Sequence, residues 1–170
     1  YINCMKTRIQ NIHTTAGETI RHFLGDTESI LFFDIETTGL SPKNASIYLI
    51  GVAFLQDKKW TLQQWFAENT AEEEAILDAF LKFAAPYRKL VHFNGTTFDV
   101  PFVQAKCKKY GLDSPFPQME QTDIYRQISP LKNLLKLPNC KQKTLEEYLG
   151  LNREDPFTGG QLIELYLSLI

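Results

Sequence analysis

Hydrophobic positions follow two periodicities along the chain, and the changes between them mark its elements. Residues 29–35, apolar apart from Ser29 and Asp34, read as a buried central strand. Gly39, Ser41, Pro42 and Asn44 then mark a loop. Residues 46–55 are almost continuously apolar and predict a second buried strand. After the turn Gln56-Asp-Lys-Lys59, Trp60, Leu62 and Phe66 take alternating positions of a third strand. So short a connection implies an antiparallel hairpin. Thr70-Ala-Glu-Glu73 has the form of a capping box, and the stripe Ile76, Ala79, Phe80 and Phe83 predicts the helix behind it, ended by Pro86. The acids 72–74 suit the positive end of that helix. A fourth strand covers 89–93, Asn94-Gly95 turns the chain, and a helix follows over 98–110 with Pro101 in its first turn and Gly111 as its stop. Residues 121–125 predict a fifth short strand. Thr144-Leu-Glu-Glu147 opens a short helix and 161–170 form another. Residues 1–28 are polar and weakly periodic, an N-terminal arm carrying a short strand or helix. His13 and His22 lie there and read as surface residues. Strands and helices alternate after the hairpin. That order predicts an α/β domain over 29–170, with a mixed sheet, helices on its faces and its site at the C-terminal edge of the strands.

The first strand ends unusually. Leu31-Phe-Phe-Asp-Ile-Glu-Thr-Thr-Gly-Leu40 passes from apolar residues to two carboxylates, Asp34 and Glu36. Residues i and i+2 of a strand share a face, so the two acids project together. They repel unless a cation lies between them or one holds a proton. Mg²⁺ and Mn²⁺ favour such oxygen donors. A strand that simply ends in a polar turn is the plainer alternative. A second stretch, His92-Phe-Asn-Gly-Thr-Thr-Phe-Asp99, delivers Asp99 into the first turn of a helix. Alone, Asp99 suits the helix dipole. Asn94 is either a turn former or an amide beside a substrate phosphate or sugar. If the fourth strand lies beside the first, Asp99 faces Asp34 and Glu36 across the sheet edge. Three converging acids fit two-metal phosphoryl hydrolysis, in which two ions about 4 Å apart clamp the scissile phosphate.

Composition narrows this only slightly. A net charge of -2 over 170 residues argues against bulk attraction to nucleic acid. From Pro101 to Lys143, however, eight bases stand against three acids. This stretch suits a phosphate-bearing polymer, or else consists of lysines scattered over solvated faces. Cys4, Cys107 and Cys140 form no Cys-x-x-Cys pair and suggest no disulfide framework, which points to a reducing cytoplasm. No apolar run approaches the roughly 20 residues of a membrane helix, and no signal peptide is visible. Tyr1 is not an initiator, so the chain is expected to be a piece of a longer protein.

Asp34-Ile-Glu-Thr-Thr-Gly-Leu40 resembles the first motif of the DEDD exonuclease superfamily, and Asn94-Gly95 with Phe98-Asp99 resembles the second. Phe93-Asn-Gly-Thr-Thr-Phe-Asp-Val-Pro-Phe102 and Thr144-Leu-Glu-Glu-Tyr-Leu-Gly150 are similar to its bacterial YprB-like branch. The resemblance implies a ribonuclease H-like fold, with a five-stranded sheet ordered 3-2-1-4-5 and strand 2 antiparallel. It implies Mg²⁺ or Mn²⁺ held by Asp34, Glu36 and Asp99, and 3′-to-5′ removal of nucleotides from DNA or RNA. Thr37, Gly39 and Leu40 would line the pocket for the terminal nucleotide, with Asn94 and Phe98 beside it.

One part of the pattern is missing. The superfamily carries a fourth Asp on a late helix, preceded by a His or Tyr as general base. No His follows His92, and neither Tyr148 nor Tyr166 has an Asp suitably placed after it. Asp123 reads as a strand-end residue and Asp155 as a turn former before Pro156. The last motif is therefore expected beyond Ile170. Two other readings compete with the exonuclease: a catalytically incomplete module that binds nucleic acid or a partner protein, and a phosphatase using Asp34, for which Glu36 is a poor second acid.

Overall fold

The computed structural model describes residues 5–12, 17–151 and 156–170. Cys4, His13 and Asp155 lie outside the described residues. In chain order the elements are β1 (Lys6–Ile12), α1 (Gly17–Leu24), β2 (Ile30–Thr37), β3 (Ile47–Gln56), β4 (Lys59–Phe66), α2 (Glu73–Ala84), β5 (Lys89–His92), α3 (Asp99–Tyr110), β6 (Glu120–Asp123), α4 (Ile124–Ile128), α5 (Gln142–Tyr148) and α6 (Gly159–Leu169).

The sheet runs β1-β4-β3-β2-β5-β6. β3 is antiparallel to β2, while β5 is parallel to it, and the hairpin between β3 and β4 forms as expected. Five of these strands reproduce the expected order. The sheet nevertheless has six strands, not five, because β1 pairs antiparallel with β4 at the edge. β1 comes from the segment read as a polar arm. Its sequence, KTRIQNI, lacks a clean alternation because all seven residues are exposed, so no face selects apolar side chains.

Alternation along β2 divides the sheet's environments. Leu31, Phe33 and Ile35 face a core shared with Ile50, Val52 and Phe54 of β3, and with α2 and α3. Phe33 stacks on Phe80 of α2, with centroids 5.1 Å apart and planes 10° off parallel. Trp65 meets Phe83 edge-on at 5.3 Å. The other face carries Phe32, Asp34 and Glu36, and the first two line an open cleft bordered by Ile124 of α4 and Gln142 of α5.

Neither Thr70-Ala-Glu-Glu73 nor Thr144-Leu-Glu-Glu147 closes a capping box. Asn69 caps a short 3₁₀ turn at Thr70–Glu72, and Lys141 precedes α5 without a side-chain cap. The box that does form joins Thr158 and Gln161 at the start of α6.

Glu73 is drawn inward instead of back toward its own helix end. It is fully buried and pairs with the equally buried Lys106 of α3 at 3.0 Å. The Ile47 amide donates to Glu73 at 2.7 Å and the Tyr110 hydroxyl at 2.5 Å. Lys106 also donates to the Ala45 carbonyl. One buried ion pair thus ties α2, α3 and the loop entering β3 together. The helix-dipole reading of this acid is corrected: the dipole contributes, but the carboxylate's main partners are tertiary. Removing one member leaves a buried charge short of its partner, which costs about 3–5 kcal/mol. Lys106→Met is expected to lower unfolding stability by about 3 kcal/mol. The double variant Glu73→Gln/Lys106→Met should lose less than the two single losses combined, measured by urea unfolding.

Candidate active site

Asp34 and Glu36 leave β2 on the same face, as strand alternation requires. Between Glu36 and Thr37 the register with β3 shifts, and the strand ends in a bulge. The loop beyond is closed by its own bonds. The Thr38 amide donates to the Ser46 carbonyl at 2.9 Å, and the Ser46 amide donates to the Thr38 hydroxyl at 2.9 Å. Thr37 is buried and donates its hydroxyl to the Gly39 carbonyl at 2.8 Å. Leu40, 86% exposed, projects from the rim.

Asp99 is the first residue of α3 and is buried. Its Oδ1 accepts from the Ile35 amide at 3.2 Å, midway between Asp34 and Glu36 in sequence. The turn that delivers it is held from below. Asp123, at the end of β6, accepts from the Asn94 amide at 2.8 Å, the Thr96 amide at 3.3 Å and the Tyr125 amide at 3.1 Å. Burial pushes Asp123 up, but these bonds and the nearby His92 outweigh it and hold the carboxyl below the usual range. Asp123 is thus a strand-end residue, as its sequence position suggests. Asn94 adopts a left-handed φ of 59°, which Asn tolerates better than most residues. Its side-chain oxygen lies 3.0 Å from the Thr97 hydroxyl. Gly95 passes so close to the buried His92 that a Cβ there would lie 2.8 Å from the imidazole Cγ. Phe98 packs back onto Phe102, with centroids 5.4 Å apart.

The three acids raise one another's pKa values. Burial, then the charge of Glu36, pushes Asp34 up to about 6. Burial, then Asp34, pushes Asp99 up to about 6, against the Ile35 hydrogen bond and His92. Glu36 is raised by burial and by Asp99. Asp34 is crowded by protein yet exposed on the cleft, so solvent screens part of its shift. Asp99 is the better enclosed of the two. The cleft holds about 450 Å³ and is lined by Asp34, Gly51, Gln64, Phe93 and Gln142 among others. A larger depression of about 540 Å³, between α2 and the 111–118 loop, contains none of these acids.

Mutually repelling carboxylates suit a divalent cation chemically. Among the described residues, however, no group of three His, Cys, Asp or Glu side chains is already arranged to hold a metal ion. The convergence is electrostatic, and one Asp99 oxygen is engaged by Ile35.

Neighbouring features escaped the sequence reading. Tyr48 of β3 stacks on Tyr166 of α6 at 4.4 Å, and both hydroxyls are buried without a hydrogen-bond partner among the described residues. Burial, then Glu36 and Tyr166, pushes Tyr48 up to about 12. His92 is buried with both ring nitrogens likewise unpartnered, 3.7 Å from Asp123. Only the position of His92 two residues before Asn94 hinted at it.

An acid-ended central strand, an antiparallel hairpin on one side and parallel strands on the other define a ribonuclease H-like domain. A family model described as RNase_H superfamily matches residues 31–168. The chain belongs to the RNase H superfamily, and the DEDD exonuclease resemblance fits the other matches. It is 28% identical over 138 residues to a DNA polymerase III PolC-type of Caldanaerobacter subterraneus subsp. tengcongensis, covering 68% of this chain and 9% of that protein. It is 25% identical over 141 residues to the PolC-type polymerase of Ureaplasma parvum serovar 3, covering 69% and 10%. Among solved structures, product-bound exonuclease I superposes with a TM-score of 0.57 at 12% identity, covering 85% of this chain and 43% of that one. The zinc-bound E. coli ExoI–ssDNA complex gives 0.57 at 12% identity, covering 82% and 39%. The chain thus spans about a tenth of the curated relatives it matches.

The raised carboxylates set a pH dependence. The folded protein holds the Asp99 proton more tightly than the unfolded chain does. The stability this contributes is present below about pH 4 and is lost as the pH rises toward about 6. In chelator, Asp99→Asn is therefore expected to be more stable than the parent near neutral pH, by on the order of 1–2 kcal/mol. The gap should close near pH 4, as read by thermal unfolding at both pH values.

Proposed function

We propose that this domain is a divalent-metal-dependent 3′-to-5′ exonuclease that hydrolyses phosphodiester bonds in DNA or RNA. The observation that carries the reading is that Asp34 and Glu36 share one face of β2 while Asp99 accepts from the Ile35 amide between them; burial and mutual repulsion raise all three. The exonuclease I neighbours and PolC-type relatives support it. Asp34, Glu36 and Asp99 are the proposed holders of two Mg²⁺ or Mn²⁺ ions. When bound, the ions would supply an activated water and charge stabilisation at the leaving oxygen.

The chain's own groups do the positioning. Asp34 faces the cleft, and its exposure leaves it open to an incoming phosphate. Asp99 fixes the end of β2 through Ile35, so that Glu36 is held near its partners. Thr37 and Gly39 shape the rim of the terminal-nucleotide pocket through their mutual bond, and Leu40 offers an apolar surface to a base. Asn94 and Phe98 complete the opposite side. The proposed partner is a single-stranded 3′ end and the proposed location is the cytoplasm. Among the described residues no helix is long and apolar enough to cross a membrane.

A second reading is a catalytically incomplete module that binds nucleic acid or a partner protein. It is favoured by the engagement of Asp123 in the 94–96 turn, which leaves the site without a further acid from that strand.

The test is Mn²⁺-dependent shortening of end-labelled DNA and RNA single strands. Asp34→Asn and Asp99→Asn should each reduce the rate by about two orders of magnitude or more. Shortening that persists in chelator, or that survives both substitutions, would contradict the proposal. A parent chain that binds strands without cutting them favours the module.

A further inference from the structure

The open face of the sheet carries a row of residues that crosses four strands from the acids to a basic edge. Asp34 lies opposite Gly51, Gly51 opposite Gln64, and Gln64 opposite Arg8. A second row runs parallel to it: Glu36, Leu49, Phe66 and Lys6. Residues directly opposite one another share a face, so both rows look outward from the same side. Exposure agrees with this. Leu49, Gly51 and Ala53 are half-buried where their neighbours Ile50 and Val52 are buried, and β1 is exposed throughout.

Two surface depressions lie along these rows. The acid-bearing cleft includes Asp34, Gly51 and Gln64, and a second hollow of about 450 Å³ is lined by Lys6, Thr7, Arg8, Leu49, Gln64 and Phe66. Gln64 lines both, so the depressions lie on either side of that residue. Gly51 at the centre of the row has no side chain to interrupt the passage.

We propose that this row is the path of a single-stranded nucleic acid whose end reaches the carboxylates and whose phosphates are received at β1. The proposal rests on the nuclease reading above. The acidic end repels a polyanion, so attraction must come from elsewhere along the strand. Arg8 donates to Gln10 at 3.3 Å and has no carboxylate partner among the described residues, so its charge remains available. Lys6, paired with Glu68, adds a second cation at the same edge. Leu49, and the part of Phe66 that its edge contact with Tyr166 leaves open to the hollow, give an apolar floor of the kind on which bases lie in single-strand grooves. From β2 to β1 is three strand spacings, about 14 Å. At about 3.4 Å per stacked nucleotide this is a path of about four nucleotides.

The experiment measures binding of fluorescein-labelled dT10 and dT2 by anisotropy, with Ca²⁺ replacing Mn²⁺, across a salt series. Arg8→Ala should weaken dT10 by about threefold to tenfold and reduce the slope of log K against log salt by about 0.7, the value for one phosphate contact. The loss should shrink below about twofold for dT2, which is too short to reach β1. Ile9→Glu makes the same change in net charge on the opposite face of β1 and should leave dT10 within about twofold. Circular dichroism confirms that each variant is folded. If Arg8→Ala binds dT10 like the parent, or Ile9→Glu matches its loss, the path is overturned while the nuclease reading stands. If the parent binds neither oligonucleotide, both fail. A concentration-dependent dimer that Arg8→Ala disrupts and dT10 leaves intact would assign the edge to a second copy of the chain, against the proposal.

Discussion

One hydrogen bond joins the two halves of the acidic site. The Ile35 amide, between the two acids of β2, donates to Asp99 at the start of α3. A strand's alternation places Asp34 and Glu36 on one side without help, but a helix residue 64 positions later in sequence has no local reason to join them. β5 lies parallel to β2, and the turn after it is pinned by Asp123 and squeezed against His92. Every support of that turn contributes to bringing three negative groups together. The arrangement is unfavourable for the metal-free carboxylates and is tolerated because the surrounding structure fixes it.

The supports extend through the core. Phe33 and Phe80 stack beneath β2, so the acid-bearing strand rests on α2. Glu73 and Lys106 then couple α2 to α3 and to the backbone at Ala45 and Ile47. That backbone ends the loop holding Thr37, Gly39 and Leu40. A buried ion pair bonded to the Ile47 amide, opposite Thr37 in the sheet, therefore helps to fix the rim. Such pairs add less to net stability than their number of contacts suggests, and their clearer contribution is a single geometry.

Much of this was legible from residue order, and the failures have physical causes. Apolar periodicity marked β2 to β5, and the two-residue offset of Asp34 and Glu36 placed them on one face. The strand order came from the family resemblance, and the sheet agrees with it over five strands. β1 was unreadable because an edge strand exposed on both faces imposes no alternation. Glu73 was misread because an acid in a first helical turn has a sufficient local explanation, while its partners Lys106 and Tyr110 are more than thirty residues away. Tyr48 and Tyr166 could not be paired in advance, since nothing local tells that α6 returns to β3.

The central question is whether Asp34 and Asp99 serve one ion-binding site. Calorimetric titration of Mn²⁺ into the chain near neutral pH, beside Asp34→Asn and Asp99→Asn, addresses this without any substrate. Binding to the parent chain and its loss in both variants are the expected result if acids from β2 and α3 hold the same ions. Binding that survives either substitution, or no binding by a parent chain shown to be folded, would contradict it.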